Sequence, residues 1–176
     1  ETAEIAVNAA LTGHLLLSTF HANDAATAIP RLIDMGVEPF LLASTLELIV
    51  AQRLLRRICE SCRVSFEANQ DELQKLLKEA HRYFTEKTTT LYRGRGCEVC
   101  NHTGFRGRTA IFEFIRVSPN IQDMIVKSPT KREIAELARK EGAHALFEDG
   151  IEKVKSGLTT LEELLRVAVP PQKENL

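Results

Sequence analysis

Four cysteines in two closely spaced pairs constrain the fold of this chain more than any other feature of its sequence. Cys59 and Cys62 form one C-x-x-C pair, Cys97 and Cys100 form the other, and residues 63–96 lie between them. Two residues between ligands allow a tight turn to direct both sulfurs at one ion, so the spacing predicts a tetrahedral Zn²⁺ site. Four cysteine ligands close the coordination shell, which favours structural rather than catalytic zinc.

Two other states of these cysteines remain open, namely two disulfides or four free buried thiols. Disulfides require an oxidising compartment, and nothing in the sequence indicates export. His102 could replace one cysteine as a ligand, although a role as a loop residue suits it better. Arginines flank both pairs and would offset the charge of four thiolates: Arg56, Arg57, Arg63, Arg93, Arg95 and Arg106.

The cysteines lie within a basic segment of a chain whose formal net charge is only −1. Residues 53–108 carry twelve basic and seven acidic side chains, whereas residues 1–52 carry one basic and six acidic side chains. Zinc ribbons often bind nucleic acid, but the aromatic residues here do not alternate with the basic ones as in a stacking platform. We therefore expect a zinc-stapled insert that closes a long loop, and no nucleic-acid partner.

The remaining pattern predicts an α/β fold, because helical and strand-like segments alternate along the first 58 residues. Hydrophobic residues make up 44% of the 176 residues and charged residues 27%, which is ordinary for a globular protein. No apolar run approaches 18 residues, so we expect no membrane span. The predicted elements are a helix over 1–11, a strand buried on both faces over 14–20, a helix over about 24–35 that Pro30 should kink or break, a helix from Pro39 to about Leu48, and a strand over 49–58.

Beyond the first cysteine pair the pattern is mostly helical. It predicts a charged helix near 71–83, a polar stretch over 85–90, one strand over 107–117, a helix from Ser118, a helix that starts at a Thr130–Glu133 capping box and ends at Gly142, a helix over 145–155, and a last helix from a Thr160–Glu163 capping box to about Val169. The final residues, 172–176, are expected to form a loose tail.

Polar side chains cluster where the predicted strand 14–20 ends. Thr19 and His21 are two residues apart and would share one face of that strand. In open α/β sheets, ligands bind at the carboxyl ends of strands, so both residues are candidates for a site. Taken alone, this signal is weak, because a histidine at a strand end is more often a structural residue.

At this point the sequence resembles a known family, the secretion ATPases of the GspE and PilB type. These are the hexameric motors of type II secretion and type IV pilus assembly. The resemblance covers about residues 1–169. It is carried by the histidine box Thr12–Ala25, by Arg31–Ser44, by Ala51–Arg56, by the two cysteine pairs, by Thr103–Glu113 and by Gly157–Arg166.

The resemblance implies the C-terminal half of a RecA-like P-loop NTPase core with a small zinc-binding insert and a C-terminal helical bundle. The implied divisions are 1–58 for the core portion, 59–106 for the zinc subdomain, 107–169 for the last core strand and helical subdomain, and 170–176 for the tail. It further implies a cytoplasmic homo-hexamer at the inner-membrane face, with ATP and Mg²⁺ bound in the intact protein and with secretion or pilus platform proteins as partners.

Site roles are carried over by motif. His21 is the strongest candidate for orienting the γ-phosphate or attacking water, because a neutral imidazole donates one hydrogen bond. His14 opens the same box, and Thr19 adds a hydroxyl. Arg53 or Arg56 would stabilise charge in the nucleotide site, and Arg108 would lie near the adenine.

The sequence also lacks a motif that the family carries. No G-x-x-x-x-G-K-[ST] occurs in the 176 residues, and the chain begins without Met, so we expect a piece that starts shortly after the Walker B position. Without a phosphate-binding loop, this piece alone should not hydrolyse ATP. The alternatives are a zinc-stapled binding module that acts without nucleotide and a helical adaptor formed by residues 118–169.

Overall fold

The structure is a computed structural model that describes residues 2–171. Within these residues the chain forms helices and strands in the following order: α1 Thr2–Leu11, α2 Ala28–Asp34, α3 Pro39–Thr45, β1 Leu48–Ile58, β2 Arg63–Asn69, α4 Gln70–Leu76, β3 Thr88–Gly94, β4 Phe105–Arg116, α5 Pro119–Ile125, α6 Lys131–Lys140, α7 Leu146–Lys155 and α8 Leu161–Val167. Every helix among residues 2–171 is too short or too polar to span a bilayer.

Two small sheets organise the strands. β1 is hydrogen-bonded to β4, and β2 is hydrogen-bonded to β3. The second pair is antiparallel, with a register that runs from Arg63 opposite Gly94 to Asn69 opposite Thr88. The mixed α/β class predicted from the sequence is therefore confirmed.

The chain divides into two compact units. The first comprises Glu1–Ala51 and Glu113–His144, and the second comprises Gln52–Phe112 and Ala145–Leu176. The four-part division made from the sequence stays a prediction. Its tail residues 172–176 lie outside the described residues, as does Glu1.

The first unit has its own apolar core, which α2, α3, α5, α6 and the end of β4 build together. Helix starts in this unit follow the capping rules. The Ser118 hydroxyl accepts a hydrogen bond from the Ile121 N–H, and Thr130 and Glu133 form a reciprocal capping box. The buried core side chains are Ala25, Ala26, Ile29, Val37, Leu42, Ala43, Ile115, Val117, Ile121, Ile125, Ile134 and Ala138.

The second unit buries the apolar faces of α7 and α8 together with residues of its strands. Phe147 is fully buried and its ring meets that of Tyr83 edge to face, with centroids 5.3 Å apart. The Asp149 carboxylate accepts the Phe112 N–H at 2.8 Å and pairs with Lys153 at 2.6 Å. α7 is thereby fixed to the part of β4 in this unit.

The predicted buried strand over 14–20 is wrong. These residues have no regular secondary structure, and Leu15 and Leu17 are each 90% exposed. A strand buried on both faces needs neighbouring strands to pair its N–H and C=O groups and to cover its side chains. Among residues 2–171 no strand pairs with this segment, so Leu15, Leu16 and Leu17 stay exposed.

The predicted effect of Pro30 is also wrong. α2 begins only at Ala28, which places Pro30 in the first turn, where a backbone N–H has no partner within the helix. Proline therefore costs no helical hydrogen bond there. The Asp24 carboxylate instead organises the preceding turn by accepting hydrogen bonds from the N–H (3.0 Å) and hydroxyl (2.6 Å) of Thr27.

The sequence interpretation missed the β2–β3 pair. Val64, Phe66 and Ala68 alternate with more exposed residues along β2, and this two-residue period is the signal of a half-buried strand. The expected helix over 71–83 ends at Leu76, and part of the expected polar stretch 85–90 belongs to β3.

Candidate functional site

The four cysteine sulfurs converge on one point in the second unit. All four lie within 4.8 Å of one another. The Cys59–Cys97, Cys62–Cys100 and Cys97–Cys100 Sγ distances are 4.0, 3.9 and 3.7 Å. A tetrahedral site with Zn–S bonds of about 2.3 Å places its sulfurs about 3.8 Å apart. The spacing matches a shared metal ion.

The other two states of the cysteines fit this geometry less well. A disulfide requires sulfurs about 2.05 Å apart, and all four cysteines are unpaired. Four thiols with no further role would have no reason to converge from two distant parts of the chain. The cluster therefore forms a candidate metal site.

Backbone hydrogen bonds hold the first cysteine pair against the second. A short 3₁₀ turn at Glu60–Cys62 reverses the chain after β1. The Cys59 N–H donates to the Gly104 carbonyl at 2.9 Å, and the Arg95 N–H donates to the Cys62 carbonyl at 3.0 Å. β2 starts directly after this turn, so the β2–β3 pairing closes the loop between the two cysteine pairs.

The second pair depends on backbone that turns tightly. Asn101 and His102 adopt positive φ angles of 49° and 59°, and the His102 N–H returns to the Cys97 carbonyl at 2.9 Å. Gly94 and Gly104 bring their backbones together. A Cβ on Gly94 would lie 2.1 Å from the Gly104 carbonyl oxygen, so no side chain fits there.

Two of the sulfurs have opposite electrostatic environments. Cys100 Sγ accepts N–H donors from Cys97 at 3.2 Å and Gly104 at 3.3 Å. The hydrogen bond from Cys97 is the main cause that lowers the pKa of Cys100 to about 6. Burial, reinforced by the neighbouring thiols, raises the pKa of Cys62 to about 11. A divalent cation would displace the thiol protons and offset the repulsion between the four thiolates.

His102 does not join the cluster. Its side chain is exposed, and the converging group among the described residues consists of the four cysteines. Three of the six flanking arginines that the sequence singled out pack on aromatic rings. The Arg56, Arg63 and Arg93 guanidinium carbons lie 4.3, 5.3 and 5.2 Å from the ring centroids of Phe105, Tyr92 and Phe66, respectively.

The histidine box lies in the first unit, and both of its histidines are exposed. His14 Nδ1 shares a hydrogen bond with the Thr12 hydroxyl at 2.9 Å, while the His21 carbonyl accepts from the Arg31 guanidinium. Thr19 and the ring of His21 are exposed to solvent. The catalytic roles expected for His14, Thr19 and His21 stay predictions.

The three arginines expected near nucleotide lie in the second unit. Arg108 is exposed on β4. Arg56 instead forms a bidentate contact with Glu163, with its Nε and Nη2 atoms 2.9 and 2.7 Å from the same carboxylate oxygen. Their nucleotide-binding roles, and that of Arg53, stay predictions.

Glu163 is the residue that the sequence interpretation missed. It was expected to complete a capping box with Thr160, and the Thr160 hydroxyl does accept the Glu163 N–H at 3.2 Å. The Glu163 carboxylate, however, accepts from Arg56 and Arg166, and its side chain is fully buried. Burial would raise the pKa of this carboxyl, but the hydrogen bonds from Arg166 and Arg56 outweigh burial and lower the pKa to about 2.

Comparison with known proteins places this chain among secretion proteins. The family described as "Type II/IV secretion system protein" matches residues 1–166. The chain belongs to this family.

The curated relatives are named for two systems, type IV pilus assembly and type II secretion. The chain is 48% identical over 166 residues to the type IV pilus assembly ATPase PilB of Thermus thermophilus. This alignment covers 94% of this chain and 18% of that protein. It is 43% identical over 170 residues to the type II secretion system ATPase E of Vibrio cholerae. This alignment covers 95% of this chain and 32% of that protein. The type II secretion system protein HxcR of Pseudomonas aeruginosa is also 43% identical, over 167 residues, with 95% of this chain and 31% of that protein covered. This chain thus spans less than a third of the length of these relatives.

Replacing Gly94 with alanine should damage the candidate metal site. The new Cβ would clash with the Gly104 carbonyl and displace Gly104. Because Gly104 contacts both Cys59 and Cys100, the two cysteine pairs should then separate. We expect metal affinity to fall at least about tenfold, measured by competition with a chelator. Gly107→Ala is the control, because its Cβ would meet no atom within 4 Å, so at its φ of 76° it adds backbone strain without a steric clash at the cysteines. Equal affinity in both variants would contradict the assigned geometry.

Proposed function

We propose that the intact protein that contains this chain is an ATPase that powers type II secretion or type IV pilus assembly. The observation that carries the proposal is the family match over residues 1–166 together with two groups of relatives that are named as ATPases of these two systems. The proposal includes a RecA-like core, a homo-hexamer, and a cytoplasmic location at the inner-membrane face with platform proteins as partners.

The proposed metal at the four cysteines is zinc with a structural role. Soft thiolate ligands in a tetrahedral arrangement favour Zn²⁺, and four protein ligands leave no position for substrate. The ion would join the end of β1 to the start of β4 across the β2–β3 insert. Arg56, Arg63 and Arg93 already pack on aromatic rings of the zinc subdomain. This packing favours a structural role for the subdomain over nucleic-acid binding.

Nucleotide chemistry is proposed for the intact protein only. The 176 residues contain no G-x-x-x-x-G-K-[ST] loop to bind phosphates, so this chain by itself is proposed not to hydrolyse ATP. In the intact enzyme, with ATP and Mg²⁺ bound, His21 would orient the γ-phosphate or the attacking water, assisted by His14 and Thr19. The exposure of His21 leaves its ring accessible to such a ligand.

Elemental analysis tests the metal proposal. The purified intact protein should contain about one zinc per chain, and Cys97→Ser should lose most of it because a serine hydroxyl is a poor zinc ligand. Val99→Ser is the control, since Val99 lies on the same turn and its side chain is half exposed without being a ligand. A wild-type protein without zinc would refute the site.

Phosphate release by the intact protein tests the ATPase proposal. His21→Ala should lower the turnover number at least about tenfold, because the bound nucleotide or water loses a positioned hydrogen-bond donor. His81→Ala serves as the control, since His81 is exposed and lies outside the histidine box. Unchanged turnover in His21→Ala would remove the role assigned to His21, and absence of ATP hydrolysis in the wild type would refute the proposed function.

A further inference from the structure

A buried carboxylate lies at the start of α8 and is fully enclosed by donors. The Glu163 side chain has no exposed surface. Its carboxylate accepts a hydrogen bond from the backbone N–H of Arg56 at 2.9 Å. It also accepts hydrogen bonds from Arg56 Nε and Nη2 at 2.9 and 2.7 Å and from Arg166 Nε and Nη2 at 3.0 and 2.7 Å. A buried charge is tolerated only when its lone pairs are satisfied in this way, so the position of Glu163 depends strongly on that of Arg56.

The residues before α8 hold the same stretch of β1. The Thr159 hydroxyl donates to the Arg56 carbonyl at 2.9 Å, and the Ile58 N–H donates to the Leu158 carbonyl at 2.9 Å. We call these five residues, Arg56, Ile58, Leu158, Thr159 and Glu163, the clasp. Three backbone groups of β1 are thus held by this segment, namely the N–H and C=O of Arg56 and the N–H of Ile58.

The clasp ends where the cysteine cluster begins. Ile58 precedes Cys59, whose N–H donates to Gly104, and the Gly104 N–H donates to Cys100 Sγ. The Arg56 guanidinium also lies over the ring of Phe105, the residue after Gly104, at 4.3 Å. One arginine therefore contacts both the buried Glu163 and the chain that leaves the second cysteine pair.

We propose that the clasp positions the cysteine ligands, so that metal binding and the attachment of α8 to β1 stabilise each other. The inference rests on the proposed zinc site. Fixing residues 56–58 preorganises Cys59 relative to Gly104 and Cys100, which lowers the conformational entropy lost when the metal binds. Linkage is reciprocal: if the clasp raises metal affinity, bound metal must stabilise the clasp by the same factor. Glu163 is accordingly a positioning residue for the metal site.

Metal affinity is the first measurement, made on the intact protein by zinc competition with a chelator. Glu163→Gln keeps the size of the side chain but removes the charge that binds two arginines, and we expect zinc to bind about tenfold more weakly. Glu162→Gln is the matched control, because Glu162 is the adjacent residue of α8 and is exposed. Thr159→Val removes one hydrogen bond of the clasp and should have a smaller effect in the same direction.

Hydrogen exchange on the wild-type protein is the second measurement and needs no variant to fold. Removing zinc should accelerate amide exchange at residues 56–58 and 157–164, while α6 in the first unit should be unaffected. Unchanged exchange in the clasp, or equal zinc affinity in Glu163→Gln and the wild type, would overturn the coupling while leaving the zinc site intact. A wild-type protein that binds no zinc would overturn the zinc site and the coupling together.

Discussion

Convergence of four sulfurs from two distant turns is the constraint on which the second unit depends. The β2–β3 insert buries few large side chains of its own: Leu73, Leu77, Phe84 and Leu91 are the large ones that are nearly inaccessible. A small apolar core cannot by itself offset the conformational entropy of a long loop. In the proposed zinc site, one ion bound by Cys59, Cys62, Cys97 and Cys100 would close that loop and supply the missing stabilisation. The close approach of Gly94 to Gly104 is the steric condition for it.

The buried Glu163 extends this constraint to the C-terminal helices. A carboxylate without exposed surface would be costly alone, but five donors from Arg56 and Arg166 satisfy it. Because Arg56 lies three residues before Cys59, the charge pair connects the helical part of the second unit to the cysteine cluster.

The accuracy of the sequence predictions varies with the range of the interaction involved. The cysteine cluster and the helix starts at Ser118 and Thr130 were predictable because short ligand spacings and capping residues determine them. The strands near 49–58 and 107–117 were predictable from the local pattern of apolar residues. The exposed segment 14–20 was not, since an apolar run becomes a buried strand only when other strands flank it. Glu163 was not either, because its partner Arg56 is far away in sequence and the local Thr160–Glu163 pattern also fits a capping box.

The metal at the four cysteines is the central claim, and zinc K-edge X-ray absorption of the intact protein tests it most directly. The sulfur arrangement predicts a first coordination shell of four sulfur scatterers at about 2.3 Å. A shell that contains nitrogen or oxygen ligands, or a protein without zinc, would contradict the account.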